Sequence, residues 1–120
     1  MQSTGAESWV TQLRKGLMEL CALRLLRHGE SYGYEIVQRL RERPALEVSE
    51  STVYPVLARL RAEGFVQARD KASASGPPRR YYSLTPRGRA RLAELNAYFE
   101  ALVDDLHQLQ SPSQKKESDA

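Results

Sequence analysis

From Val10 to Arg27 the apolar residues fall on two stripes, Leu13, Leu17 and Leu20 on one and Met18, Ala22, Leu25 and Leu26 on the other. This spacing predicts a helix that is apolar around much of its girth and so lies in the middle of an assembly rather than on its surface. Gly29 is its predicted stop. Ser31 is placed to cap a second helix whose inward face is Ile36, Val37 and Leu40, with Pro44 beyond its end. A third helix, capped by Ser49 or Ser51, turns Val53, Val56, Leu57 and Leu60 inward and stops at Gly64. Pro55 has no N–H to donate and crowds the preceding turn, so a cap at Ser51, which brings it close to the first turn, costs least.

After Gly64 the period changes. Phe65 to Arg69 and Arg79 to Leu84 read as short strands joined by a flexible polar loop over 70–78, a β-hairpin with a long tip. Strand alternation turns one of Tyr81 and Tyr82 inward and the other out. Thr85-Pro86 is an N-cap followed by proline at the first helical position, and the last helix spans 86–110. Its residues Leu92, Leu95, Phe99, Leu102, Leu106 and Leu109 are spaced 3, 4, 3, 4, 3, a heptad seam. Such a stripe can fold back onto its own domain. Following a domain that already has a core, it is expected to pair with a second copy, with Leu13 and Leu17 of the first helix joining the dimer. No internal repeat is present.

The elements sum to a mainly α fold with a small β-hairpin (α+β). Three helices, a hairpin and a long helix are the layout of a winged helix-turn-helix with a C-terminal dimerisation helix. The expected divisions are a flexible N-terminus at 1–9, the winged domain at 10–85, the dimerisation helix at 86–110 and a disordered tail at 111–120.

Composition narrows the function. The chain has 120 residues, 41% of them apolar, enough for one domain. The lone Cys21 forms no disulfide within the chain, and with His28 and His107 it makes no metal-ligand spacing, so no metal is expected. No apolar run is long enough for a membrane span, and the polar start has no signal-peptide core, which points to a cytoplasmic protein. Residues 1–91 hold 16 Lys/Arg against 9 Asp/Glu, whereas residues 92–120 hold 2 against 6. A basic body suggests a polyanionic partner, although 14 Arg to 4 Lys also fits a genome-wide preference for arginine. There is no paired acid/base set, no nucleophile–His–carboxylate pattern and no phosphate-binding glycine loop, so neither catalysis nor a cofactor is expected.

In a winged helix-turn-helix the third helix enters the major groove of double-stranded DNA and the wing grips beside it. Away from its apolar stripe that helix carries Ser49, Ser51, Thr52, Tyr54 and Arg59. One of the three hydroxyls serves as a cap, and the others are candidates for phosphate or base edges. Lys71 near the wing tip and Arg79 and Arg80 at its base are candidate backbone cations, though loop charges are often merely solvated. Tyr32 and Tyr34 either pack between helices or touch DNA, while Gly33 lets the third helix approach.

Four motifs occur in order: Gln12-Leu13-Arg14-Lys15-Gly16; Ser31-Tyr32-Gly33-Tyr34-Glu35-Ile36; SESTVYPVLARLRAEGFV at 49–66; and GPPRRYYSLTPRG at 76–88. Together they resemble the PadR family of winged-helix repressors over about Trp9 to Arg91. The single C-terminal helix is similar to the small subfamily. The resemblance implies a repressor, a phosphate-contacting Tyr54 in the Tyr54-Pro55 pair and a small aromatic or drug-like inducer. With the heptad seam, the expectation is a homodimer on a palindromic operator, with Ser31, Tyr32 and Tyr34 among its candidate DNA contacts. Trp9, Tyr98 and Phe99 are candidates to sandwich such a ligand near the two-fold axis. Alternatively Phe99 fills the heptad core, Tyr98 packs on its own domain and Trp9 staples the N-terminus. Two rival readings share the fold: a winged-helix module that binds protein, and a small-molecule sensor without specific DNA binding. A steep salt dependence of DNA binding argues against the first, a sequence-specific footprint against the second.

Overall fold

The computed structural model describes residues 5–112. The elements are α1 (Ala6–Leu26), β1 (Ser31–Tyr32), α2 (Gly33–Arg41), a 3₁₀ turn (Pro44–Leu46), α3 (Glu50–Ala62), β2 (Val66–Ser73), β3 (Gly76–Leu84) and α4 (Pro86–Gln110). The strands form one antiparallel sheet in the order β1-β3-β2. The core is a single cluster in which Met18, Leu23 and Leu26 of α1 meet Ile36 and Val37 of α2, Leu57 and Leu60 of α3, and Val66 of the wing.

Several boundaries differ from the sequence expectation. Helix α1 begins at Ala6, so residues 6–9 are helical rather than a flexible lead. Gly5, at φ 86°, turns the chain into the helix, and Glu7 in the first turn suits the positive end of the helix dipole. The expected tail at 111–120 lies outside the described residues except for Ser111 and Pro112. Ser31 does not cap α2: Tyr32 occupies the N-cap position, and Ser31 is buried in the added strand β1. The third helix is entered at Ser49, not Ser51, which leaves Pro55 inside α3 beyond its first turn.

The largest correction is the wing. The expected loop over 70–78 is almost wholly strand, with only Ala74 and Ser75 in the turn, and Lys71 stands mid-strand opposite Arg79 rather than at a tip. Register shifts between Lys71 and Ser73, opposite Pro77 and Pro78. Prolines give no N–H to a ladder and are tolerated at such a bulge, so two turn-like residues fit inside a strand. Of the tyrosine pair, Tyr82 faces the core and Tyr81 is half-buried.

The two most legible punctuation marks also lock the fold together. Gly64, at φ 84°, ends α3 in a Schellman turn: Phe65 N–H donates to Leu60 and Gly64 N–H to Arg61. The Thr85 hydroxyl donates to the Gly64 carbonyl at 2.6 Å and accepts from Gly88 N–H at 2.9 Å. One side chain therefore caps α4 and ties it to the end of α3.

Along α4 the heptad seam divides. Leu92 is buried and Leu95 and Phe99 pack against the protomer's own core, whereas Leu102, Leu106 and Leu109 are exposed. The first half of the seam folds back, held by Arg91 to Glu19 at 2.7 Å and Arg24 to Asn96 at 2.8 Å. The second half stands clear of that core. On α1, Leu13 is exposed and Leu17 half-buried.

Candidate nucleic-acid interface

Helix α3 buries Val53, Leu57 and Leu60 and turns Ser49, Ser51 and Pro55 fully outward, with Thr52 and Tyr54 on its flanks. The Ser49 and Ser51 hydroxyls bond to each other at 2.7 Å, and neither caps the helix. Pro55 has no N–H for the carbonyl four residues before it, that of Ser51.

Tyr54 leans toward the start of α2. Its ring lies against Gly33, where a Cβ would stand 2.4 Å from the ring carbon Cε1. Gly33 thus admits the third helix, as its place between two tyrosines suggests. Burial, then the neighbouring Glu50 carboxylate, pushes the Tyr54 phenol above its ordinary range, so it stays protonated and able to donate at neutral pH. Beside it Tyr34 is exposed, and these residues with Arg79 and Arg80 border a surface groove of about 340 Å³.

The wing face is ordered by stacking. The Arg79 guanidinium lies 4.4 Å from the Tyr32 ring centre, Tyr32 meets Tyr81 edge-on at 5.3 Å, and Lys71 sits 4.6 Å over Tyr81. The Lys71 ammonium also pairs with Glu30, which takes Arg69 at 3.3 Å as well. The hydrogen bond from Lys71 chiefly holds the Glu30 carboxyl below the usual carboxylate range, with Arg69 adding to it.

The predicted residues therefore separate into groups. Tyr34, Tyr54, Arg79 and Arg80 border one groove, Ser51 and Thr52 border another beside α1, and Pro55 is exposed on the same helix. Among the described residues Arg80 pairs with Asp70 at 3.3 Å, both partners about half exposed, a contact that contributes little and is readily exchanged for a phosphate. Lys71 is engaged by Glu30. Ser31 is buried, its hydroxyl donating to the Glu35 carboxylate at 2.6 Å, so it supports the surface from behind. Arg59 lies two turns beyond Thr52 and donates to Glu19 at 3.1 Å and Glu63 at 3.2 Å. Nothing in the sequence around Glu30 marks it: its partners Arg69 and Lys71 lie about 40 positions away, a separation no local pattern reveals.

Trp9 and Tyr98 are among the most exposed aromatics, and neither borders the groove that Phe99 lines with Leu17, Cys21 and Leu25. Among the described residues, no three His, Cys, Asp or Glu side chains cluster to hold a metal, and no helix is long and apolar enough to cross a membrane.

Residues 22–94, from the middle of α1 through the wing into α4, match the transcriptional regulator PadR-like family. The chain belongs to the PadR family. It is 36% identical over 87 residues to transcriptional regulator Rv3488 of Mycobacterium tuberculosis, spanning 70% of this chain and 79% of that one. The crystal structure of a PadR family transcriptional regulator from Eggerthella lenta superposes with a TM-score of 0.80 at 30% identity, over 90% of this chain and 94% of that one. Bacillus subtilis PadR in complex with operator DNA superposes with a TM-score of 0.61 at 30% identity, over 66% of this chain but 46% of that longer protein. The PadR fold is thus present with its wing, its third helix and one C-terminal helix.

Proposed function

We propose that this PadR-family regulator is a homodimeric, sequence-specific DNA-binding repressor acting in the cytoplasm on a palindromic operator. The observation that carries the reading is the exposed groove between α3, α2 and the wing, where Tyr54, Tyr34, Arg79 and Arg80 stand together, with the Ser51 hydroxyl exposed near the start of α3. Cations and a phenol donor suit phosphates, and the small hydroxyls on the crest of α3 suit base edges. The likeness to Bacillus subtilis PadR, solved in complex with operator DNA, supports DNA binding by this chain.

The dimer is supported by a match between two surfaces of one chain. Exposed Leu102, Leu106 and Leu109 on α4 are accompanied by Glu100, Asp104 and Asp105. The groove along α1, lined by Leu17, Cys21, Leu25 and Phe99, is rimmed by Arg24, Arg39 and Arg43 against the one carboxylate of Glu42. An acidic apolar arm suits a basic apolar groove on a second copy. Trp9 and Tyr98, both exposed in one protomer, would then be brought to the junction where a flat aromatic inducer can stack, shifting the angle between the winged domains.

Selection of bound duplexes from a random DNA pool tests the reading. The expected product is one palindrome with half-sites about one helical turn apart, ~34–36 Å. Recovery of no preferred sequence, or a monomer by light scattering, overturns it.

A further inference from the structure

The backbone contacts proposed above, Tyr34, Tyr54, Arg79 and Arg80, all serve one flank of α3. A helix seated in the major groove stands between two sugar-phosphate walls roughly 12 Å apart, so its other flank also faces a backbone. Thr52 is two residues from Tyr54, about 200° round the helix, and marks that second flank. There the structure holds a groove of about 300 Å³ between the N-terminal part of α1 and the start of α3, bordered by Thr11, Lys15, Ser49, Ser51 and Thr52.

Two adjacent cations of α1 reach this groove and are not equivalent. Arg14 donates through Nε to the Ala45 carbonyl at 3.1 Å, through Nη1 to Glu47 at 3.2 Å and through Nη2 to Pro44 at 2.9 Å. All three of its nitrogens hold the turn that leads into α3. Lys15 is exposed and has no ion pair among the described residues. Glu47 also borders the groove; its backbone carbonyl is fixed by Arg14, and the residue is exposed.

We infer that Lys15, with the Thr11 hydroxyl one turn before it, binds a phosphodiester of the DNA strand across the groove from the wing. Helix α3 is then gripped from both sides, by the wing and α2 on one strand and by α1 on the other. Arg14 fixes the distance between the two grips by holding the 3₁₀ turn to α1. This inference rests on the DNA-binding reading above and adds a contact that reading does not include.

The test is a salt series of anisotropy titrations of the full chain against a labelled mixed-sequence duplex about three helical turns long. The parent protein is expected to lose affinity linearly in log salt. Lys15→Gln should flatten that slope by about 0.9, the loss of one phosphate contact, and Lys15→Glu should weaken binding further. Arg80→Gln should flatten it comparably. Arg27→Gln, at the far end of α1 beside Leu84 and Arg89, should match the parent. If both Lys15 variants keep the parent's slope and affinity while Arg80→Gln does not, the second grip is overturned and the DNA-binding reading survives. A parent with no salt-dependent binding overturns both.

Discussion

Gly33 and Tyr54 fit each other so closely that no side chain fits between them: a Cβ on Gly33 would lie 2.4 Å from the Tyr54 ring. The ring is the outer end of a side chain that is 38% exposed, so it can swing away toward solvent. Gly33→Ala is therefore expected to change the melting temperature little, since alanine also favours the helix. Its DNA affinity should fall several-fold because Tyr54 is displaced. Parallel thermal unfolding and anisotropy measurements check this; equal losses in both would mean that Tyr54 is only a packing residue.

Gly88 presents the opposite case. A Cβ there would lie 1.9 Å from the Phe65 carbonyl oxygen, which is backbone and cannot swing aside. Gly88→Ala should destabilise the fold by about 3 kcal/mol, the upper part of the range for overpacking. Urea denaturation should show the midpoint falling with little change in slope.

Glu19 links three helices, accepting from Arg59 of α3 and Arg91 of α4. Burial alone would raise its pKa, but the hydrogen bonds and charges of Arg91 and Arg59 outweigh it and hold the carboxyl below the usual carboxylate range. Because the folded state favours the ionised form, this stabilisation is complete above the ordinary carboxylate pKa and is lost as pH falls through the depressed value. Glu19→Gln should lower stability at neutral pH by on the order of 1 kcal/mol. Wild type and variant should converge at acid pH. Denaturation curves at several pH values check it, and a constant gap down to acid pH would contradict the linkage.

The divided seam of α4 predicts two different truncation products. Ending the chain after Glu100 keeps Leu92, Leu95 and Phe99 on the core and should give a folded monomer. Ending it after Arg91 removes Leu92, only 4% exposed, and should give an unfolded or aggregating chain. Sedimentation and circular dichroism distinguish these outcomes.

What the sequence made legible follows the range of the interactions involved. The α3 stop at Gly64 and the α4 start at Thr85-Pro86 depend on neighbours within a turn or so, and both stand where the pattern puts them. The wing departs from the local pattern because Gly76, Pro77 and Pro78 are turn formers by local rules, while a bulge opposite β2 makes strand of them. Strand β1 is two residues long, too short to show a period, and exists because Tyr81 and Tyr82 supply its ladder. The heptad spacing carries no information on where the seam divides: Leu92, Leu95 and Phe99 pack on the chain's own core, and Leu102, Leu106 and Leu109 are exposed. Among candidate DNA contacts, the exposed residues near Tyr54 were readable from helix geometry. The engagement of Lys71 by Glu30 and of Arg59 by Glu19 was not, because each pairing spans about 40 residues and is made only by the tertiary fold.

Helix α4 also acts as a lever. It is 25 residues long, and the part beyond Phe99, eleven residues or roughly 16 Å at 1.5 Å per residue, projects past the last contact with its own core. A tilt of about 10° at Phe99 moves the far end by ~3 Å, close to the ~3.4 Å rise of one base pair. In the homodimer proposed above, a second winged domain would rest on that arm, and a small adjustment where Arg24 and Phe99 meet would be magnified toward a base-pair step of misregister between the two copies of α3.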